Sequence, residues 1–277
     1  MRKLLRADFT RLRVSKTFWL TMAGVLAVCL YLIFDLYSWK ANHPDVAQYF
    51  ENDLFNYAAF MGFCCAIVVG MLTGTDYSDG TIRNKLIVGS ERLCIYLSHW
   101  IVACAVSAAL VAVFVVPMMA IGLPISDGFG IPAERVAALL LLSILTTIAF
   151  ASICLAITLG IQNRTAAVIV GFVVMMALFC GSMVCSGRLN QPEMIAPYAV
   201  TVDGVRTEKL EHNPRYIDGT EREIYQWIHD ILPSGQTIQM ANGADPEHME
   251  RWPFTSALVI LAASSVGYAV FKRKDIK

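Results

Sequence analysis

Gly74-Thr75-Asp76-Tyr77-Ser78-Asp79-Gly80-Thr81-Ile82-Arg83-Asn84-Lys85 separates two long apolar runs, and its reading decides what kind of chain this is. The runs on either side, about 55–75 and 94–123, reach the roughly 20 residues that cross about 30 Å of hydrocarbon. Gly80 breaks the pattern between them, and Thr81 restarts it. From there Ile82, Leu86 and Leu93 fall on one helical face, while Arg83, Asn84, Lys85 and Arg92 take the others. A short basic helix between two spans is either a plain hairpin connection or a handle that a soluble partner grips.

The composition agrees with a membrane setting. Hydrophobic residues make up 56% of the 277 positions, charged residues only 16%, and the mean hydropathy is +0.55. Soluble domains carry about 25% charge. Further apolar runs fall at about 18–37, 136–161, 165–184 and 254–271, giving six spans in all. The first is longer than a signal-peptide core, and no small-residue cleavage pattern follows it, so it reads as retained. In span two Gly70 and Gly74 are spaced for close helix approach, although glycines are tolerated in any span.

Charge by side orients the chain. With the N-terminus inside, segments 1–17, 76–93, 162–164 and 272–277 hold 14 of the 22 Lys and Arg but 5 of the 22 Asp and Glu. The neutral chain thereby divides into +9 inside and −9 outside, which predicts cytosolic N- and C-termini. Residues 1–17 place Leu5, Phe9 and Leu12, then Trp19, on one stripe among Arg2, Lys3, Arg6, Arg11, Arg13 and Lys16. That pattern predicts a helix lying in the headgroup plane, touching anionic lipid; a plain basic flank is the simpler alternative. Residues 18–186 carry spans one to five, with the amphipathic helix at about 78–93. Residues 187–252 form an external module, and 253–277 a sixth span with a basic tail. Within the module, Ile224, Trp227, Ile228 and Ile231 mark one face of a helix starting near Thr220, resting on the outer membrane face, capping an opening, or simply solvated.

Several chemistries are missing from the sequence. The eight cysteines lie almost all inside apolar runs, where they read as small apolar residues rather than a disulfide framework. There is no P-loop motif, no H-E-x-x-H and no G-x-S-x-G. Catalytic and metal-ligating residues are therefore expected to be absent, and nothing suggests nucleic-acid binding. Asp35 and His99 are the ionisable residues nearest the apolar centres, and His99 beside Trp100 reads as interfacial. Ion-coupled carriers keep charges deeper than that. His212, His229 and His248 have irregular spacing, which makes a zinc site a weak idea.

Ser15-Lys16-Thr17-Phe18-Trp19, Asp76 through Lys85, and Phe271-Lys272-Arg273-Lys274-Asp275-Ile276 together resemble the bacterial ABC-2-type permeases, the membrane subunits of ATP-binding-cassette exporters. The resemblance covers essentially the whole chain. It implies an all-α, six-span protein of the bacterial plasma membrane, paired with a second permease chain, identical or related. It also implies a separate P-loop ATPase subunit that holds ATP and Mg, with no cofactor in this chain. By the same resemblance the helix after span two is the coupling helix, drawing on Asp76, Tyr77, Asp79, Gly80, Thr81, Ile82, Arg83, Asn84, Lys85 and Leu86. Ile82 and Leu86 would anchor it in the ATPase groove, with Arg83 and Lys85 as a polar rim. The in-plane helix, with Leu5, Phe9, Leu12 and Arg13, is the second contact. The path lies at the dimer interface, mainly between spans two and five, near Met175, Met176 and Phe179. Its apolar and small lining suits export of an amphipathic peptide or lipophilic antibiotic. A lipid or polysaccharide cargo, or a membrane enzyme working through the external module, are the alternatives. The 187–252 segment departs from the short re-entrant hairpins the family leads one to expect.

Overall fold

The computed structural model describes residues 1–195, 199–202, 205–208, 210–242, 246 and 248–274. Helix α1 (Arg2–Val14) stops at Ser15, whose backbone is extended and whose hydroxyl accepts the Phe18 N–H at 3.4 Å, capping α2 (Lys16–Asn42). A short α3 (Glu51–Leu54) leads into α4 (Ala58–Ser78). Gly80 then takes φ 67°, a left-handed conformation that suits glycine, and α5 (Thr81–Ile87) follows. Helix α6 (Arg92–Pro117) runs into a π-helical turn (Met118–Gly122) where Pro117 removes a backbone donor. Helices α7 (Ala133–Ile161) and α8 (Arg164–Leu189) meet at Asn163, whose carboxamide oxygen caps α8 by accepting from the Thr165 and Ala166 N–H groups, each at 3.0 Å.

Beyond α8, β1 (Met194–Ile195) pairs antiparallel with β4 (Glu211–His212), and β2 (Ala199–Val202) with β3 (Val205–Glu208). Helices α9 (Gly219–Ile231) and α10 (Pro233–Ala241) and a 3₁₀ turn (Met249–Arg251) then lead into α11 (Trp252–Arg273). The two β-ribbons modify the all-α expectation. They are too short for sequence periodicity to reveal, since β1 and β4 are two residues each.

Six helical segments are long and apolar enough to cross a membrane: Lys16–Asn42, Glu51–Ser78, Arg92–Gly122, Ala133–Ile161, Arg164–Leu189 and Met249–Arg273. They coincide with the six apolar runs of the sequence, each extended by a few residues. The chain is a multi-pass membrane protein. Helices α4 and α7 are the most enclosed, while α2, α8 and α11 turn large apolar side chains outward, among them Leu20, Phe34, Val173, Phe254 and Leu261. In water such faces would be costly; lipid or another chain covers them without cost.

Helix α4 reaches α8 through small residues. A Cβ added at Gly74 would lie 2.6 Å from the Arg164 Cα, and one at Gly70 2.9 Å from the Val168 side chain. The close-approach reading of this Gly-x-x-x-Gly therefore holds, within one chain. Polar residues inside the bundle are satisfied locally: Thr147, Ser152 and Thr158 each donate to the carbonyl four residues back. At one end of the bundle, Arg92 donates to the Phe271, Lys272 and Lys274 carbonyls at 2.8–2.9 Å, tying the start of α6 to the end of α11. Asp275 and Ile276 of the terminal motif lie outside the described residues.

Helix α10 is the element the sequence does not foretell. Nearly all of it is buried, against α4, α7, α8 and α9. Gln236, fully buried, accepts from Thr146 of α7 and Ser256 of α11, each at 2.8 Å, and donates to the Asp230 carbonyl at 2.8 Å and to Thr255 at 2.9 Å. Ser234 and Ser182 of α8 share a 2.6 Å hydrogen bond. The 187–252 segment is thus partly a plug into the end of the bundle opposite α5. The expected helix with Ile224, Trp227, Ile228 and Ile231 on one face is α9, and that apolar face is the exposed one.

Candidate functional site

At the α5 end, four elements bring charged side chains into the protein. Asp76 sits in the last turn of α4 and is buried. Asp79, three residues on, stays exposed where the helix ends. The left-handed Gly80 reverses the chain, so that α5 folds back with Ile82 and Lys85 facing inward. Ile82 is fully buried and the Lys85 side chain is only 9% exposed. Helix α1 packs along α6 with Asp8 and Leu12 on the contact face.

The result is a buried charge network. The Lys85 ammonium lies 2.6 Å from Asp8 Oδ1 and 3.4 Å from Asp76 Oδ2. Asp8 Oδ2 accepts from Ser98 of α6 at 2.6 Å. Arg11, one turn past Asp8 on α1, pairs with Asp76 Oδ1. His99 completes the set: Nε2 is 2.9 Å from Asp76 Oδ2, and Nδ1 is 2.8 Å from the Ile95 carbonyl.

His99 sits between two acceptors. Both ring nitrogens face groups that only accept, a carboxylate between two cations and a backbone carbonyl, so both bonds form only if both nitrogens carry hydrogen. A neutral ring has one N–H and would leave one of them unmade. The network holds two carboxylates against a lysine, an arginine and the His99 ring.

Asp8, Asp76 and His99 also bring three metal-capable atoms within 4.8 Å of one another, the one such group found among the described residues. Lys85 and Arg11 already occupy the carboxylate oxygens that a cation would use, so an ion pair network is the arrangement the site favours. Beside it is a cavity of about 10 Å³, bordered by Thr73, Val102 and Val106, room for about one water.

Sequence expectation and structure part company at several side chains. Ile82 was expected to anchor a partner's groove; it is fully buried in this chain's own core, and Leu86 is half-buried against the same core. Lys85 is not a rim residue but part of the buried network. The reason is the turn at Gly80, which lays the apolar face of α5 on the bundle. Leu93 does not continue that face either, because α5 ends at Ile87 and Leu93 belongs to α6. What α5 presents outward is Arg83, Asn84, Ile87 and Val88, the last two 72% and 85% exposed. Tyr77 is half-buried, its hydroxyl donating to the Leu159 carbonyl at 3.2 Å, and Thr81 is half-buried beside it in the turn.

On α1, Leu12 is buried, Leu5 half-buried and Phe9 exposed, while the Arg13 carbonyl accepts the Trp19 indole N–H at 2.8 Å. Between α1 and α5 lies an open cleft of about 740 Å³, with Arg2, Lys3 and Leu4 on one side and Asn84, Val88 and Glu91 on the other. Farther along the bundle, Met175 is buried, its sulfur about 3.1 Å from where a Gly62 Cβ would sit, so it packs the α4–α8 seam. Met176 is exposed, and Phe179 stands 6.3 Å from the Phe63 ring at the edge of that seam.

A model of the ABC-2 family transporter protein matches residues 4–185, which takes in α1, α5 and the first five spans. The chain belongs to the ABC-2 transporter family. The curated proteins include no match to it. As an ABC-2 permease it is a transport subunit of the membrane, of a family that works with an ATP-binding-cassette subunit. The motif at Asp76–Lys85 lies inside the matched region, and several of its side chains, Asp76, Ile82 and Lys85 among them, face the chain's own interior. His99 was missed for a plain reason. It stands in an apolar run, and nothing local says that Asp76, 23 residues earlier, returns to meet it.

Proposed function

We propose that this ABC-2 permease is the membrane-spanning half of an exporter driven by a separate ATPase, which seats on the outward face of α5 and on α1. The observation that carries the reading is Ile87 and Val88, two adjacent exposed aliphatic side chains at the end of α5, flanked by Arg83 and Asn84 and by the cleft beside α1. A short helix with an apolar tip and a polar rim suits a groove in a soluble partner. The charge asymmetry of the sequence supports a cytosolic position for this end, and the ABC-2 family supports a bacterial plasma membrane with ATP and Mg held by the partner.

A second permease chain covers the faces of α2, α4 and α8 that this chain leaves open. Between α2 and α4 runs an apolar groove of about 460 Å³, lined by Leu20, Gly24, Val28, Phe60, Cys64 and Ile67. Together with Met176 and Phe179 it forms one wall of the path, suited to an amphipathic peptide or a lipophilic antibiotic. Lys16 at the mouth of the groove favours a second reading, a lipid cargo with an anionic headgroup.

Purification tests the assignment. The wild-type permease should isolate with an ATP-binding-cassette subunit and stimulate its ATP hydrolysis, and Val88→Asp should lose that subunit while inserting normally. A permease that isolates alone and works without an ATPase would overturn the reading.

A further inference from the structure

Helices α1 and α5 are each poorly held by their own backbones. Helix α5 has seven residues, well short of the roughly 12–15 at which an isolated helix becomes stable. It hangs between two left-handed glycines, Gly80 at φ 67° and Gly89 at φ 87°. Helix α1 joins α2 only through the extended Ser15. A push on α5 would be absorbed by such joints unless something stiffer bridges them.

The buried network is that bridge. Asp8, from the middle of an otherwise basic helix, is 5% exposed and accepts simultaneously from Lys85 of α5 and Ser98 of α6. Asp76 of α4 holds Arg11 of α1, Lys85 of α5 and His99 of α6. Counting their own helices, Asp8 therefore joins three and Asp76 four. Burying charge is costly, and apolar packing of equal volume is often no less stable. A buried ionic network is weak as glue but strict about geometry, because a displaced partner leaves a charge unmatched.

We infer that α1 and α5 form one rigid coupling unit, clamped together by Asp8 and Lys85 and braced on spans two and three by Asp76, His99 and Ser98. These are positioning residues. They do not touch the ATPase or the cargo; they make a displacement of α5 arrive at the inner ends of α4 and α6 together with α1. Helix α1 is on this account part of the transmission. The role in transmission rests on the reading of α5 as the ATPase contact; the clamp itself does not.

Hydrogen exchange on the full-length permease in lipid nanodiscs, alone and with its co-purifying ATPase, separates the two. In Asp8→Asn the amides of α1 and α5 should exchange at least about tenfold faster than wild type while the spans stay protected. Lys85→Arg, which keeps the charge, should stay close to wild type, and Ser98→Ala should give a smaller rise of the same pattern. With the ATPase bound, Asp8→Asn should retain the subunit yet lose most of the stimulated hydrolysis. Unchanged protection of α1 and α5 in Asp8→Asn and Ser98→Ala would overturn the clamp. Accelerated exchange with full stimulation would overturn its role in transmission. Failure of wild-type permease to bind any ATPase would instead sink the functional reading, leaving the exchange result to decide on the clamp.

Discussion

His99 shows how much a single side chain can carry. Its two nitrogens face a carboxylate and a carbonyl at 2.9 and 2.8 Å. Nitrogen-15 NMR should therefore see the Nε2 signal of His99 move in Asp76→Asn, which takes the carboxylate away from it, while Nδ1 keeps the Ile95 carbonyl. A His99 spectrum unchanged by Asp76→Asn would refute the contact. Nothing in the sequence around His99 signals this role. A histidine in an apolar run reads as interfacial until its partner is known, and that partner, Asp76, comes from 23 residues away. Asp8 is obscured in the same way: within a basic amphipathic helix it looks like one more solvated charge.

Among the elements, legibility follows periodicity. The spans, α1 and α9 were readable because their apolar residues recur at helical spacing over many residues. For α5 the same rule found the helix but not the partner of its apolar face. Ile82 and Leu86 look identical in sequence whether the bundle or a second protein covers them, and the turn at Gly80 decides for the bundle. Helix α10 was illegible because polar residues, Ser234, Gln236 and Thr237, are what it buries. The α9–α10 junction also makes a pH prediction. His229 is buried at the end of α9, its Nε2 is unpartnered, and burial lowers its pKa, against a smaller opposing pull from Asp230. A histidine with a lowered folded pKa binds its proton more readily when unfolded, so its effect on stability is absent above the ordinary value of 6.5 and grows as pH falls below it. Acidification to about pH 5 should raise exchange or proteolysis of residues 219–241 relative to about pH 7.5, and His229→Phe should remove that difference. Equal susceptibility of wild type and His229→Phe at both values would count against it.

On the scale of the whole molecule, the chain has two polar ends joined by an apolar bundle, and the ends are built differently. The α5 end carries a buried network of full charges; the α9 end carries amides, hydroxyls and Asp230 around the plug of α10. Between them, α2, α4 and α8 leave an apolar face open, while small residues seal the α4–α8 seam within the chain. On the proposed function the path runs along that open face, where Met176 is exposed, while Met175 is buried in the seam. The central claim is that an ATPase bears on the outward face of α5. Photo-crosslinking from single sites in membranes tests it most directly. A crosslinker at Val88 should capture the ATP-binding-cassette subunit, with a yield that changes when ATP is bound, and one at buried Ile82 should capture only the permease itself. No capture from Val88, or capture of the same subunit from the apolar face of α9, would contradict the account.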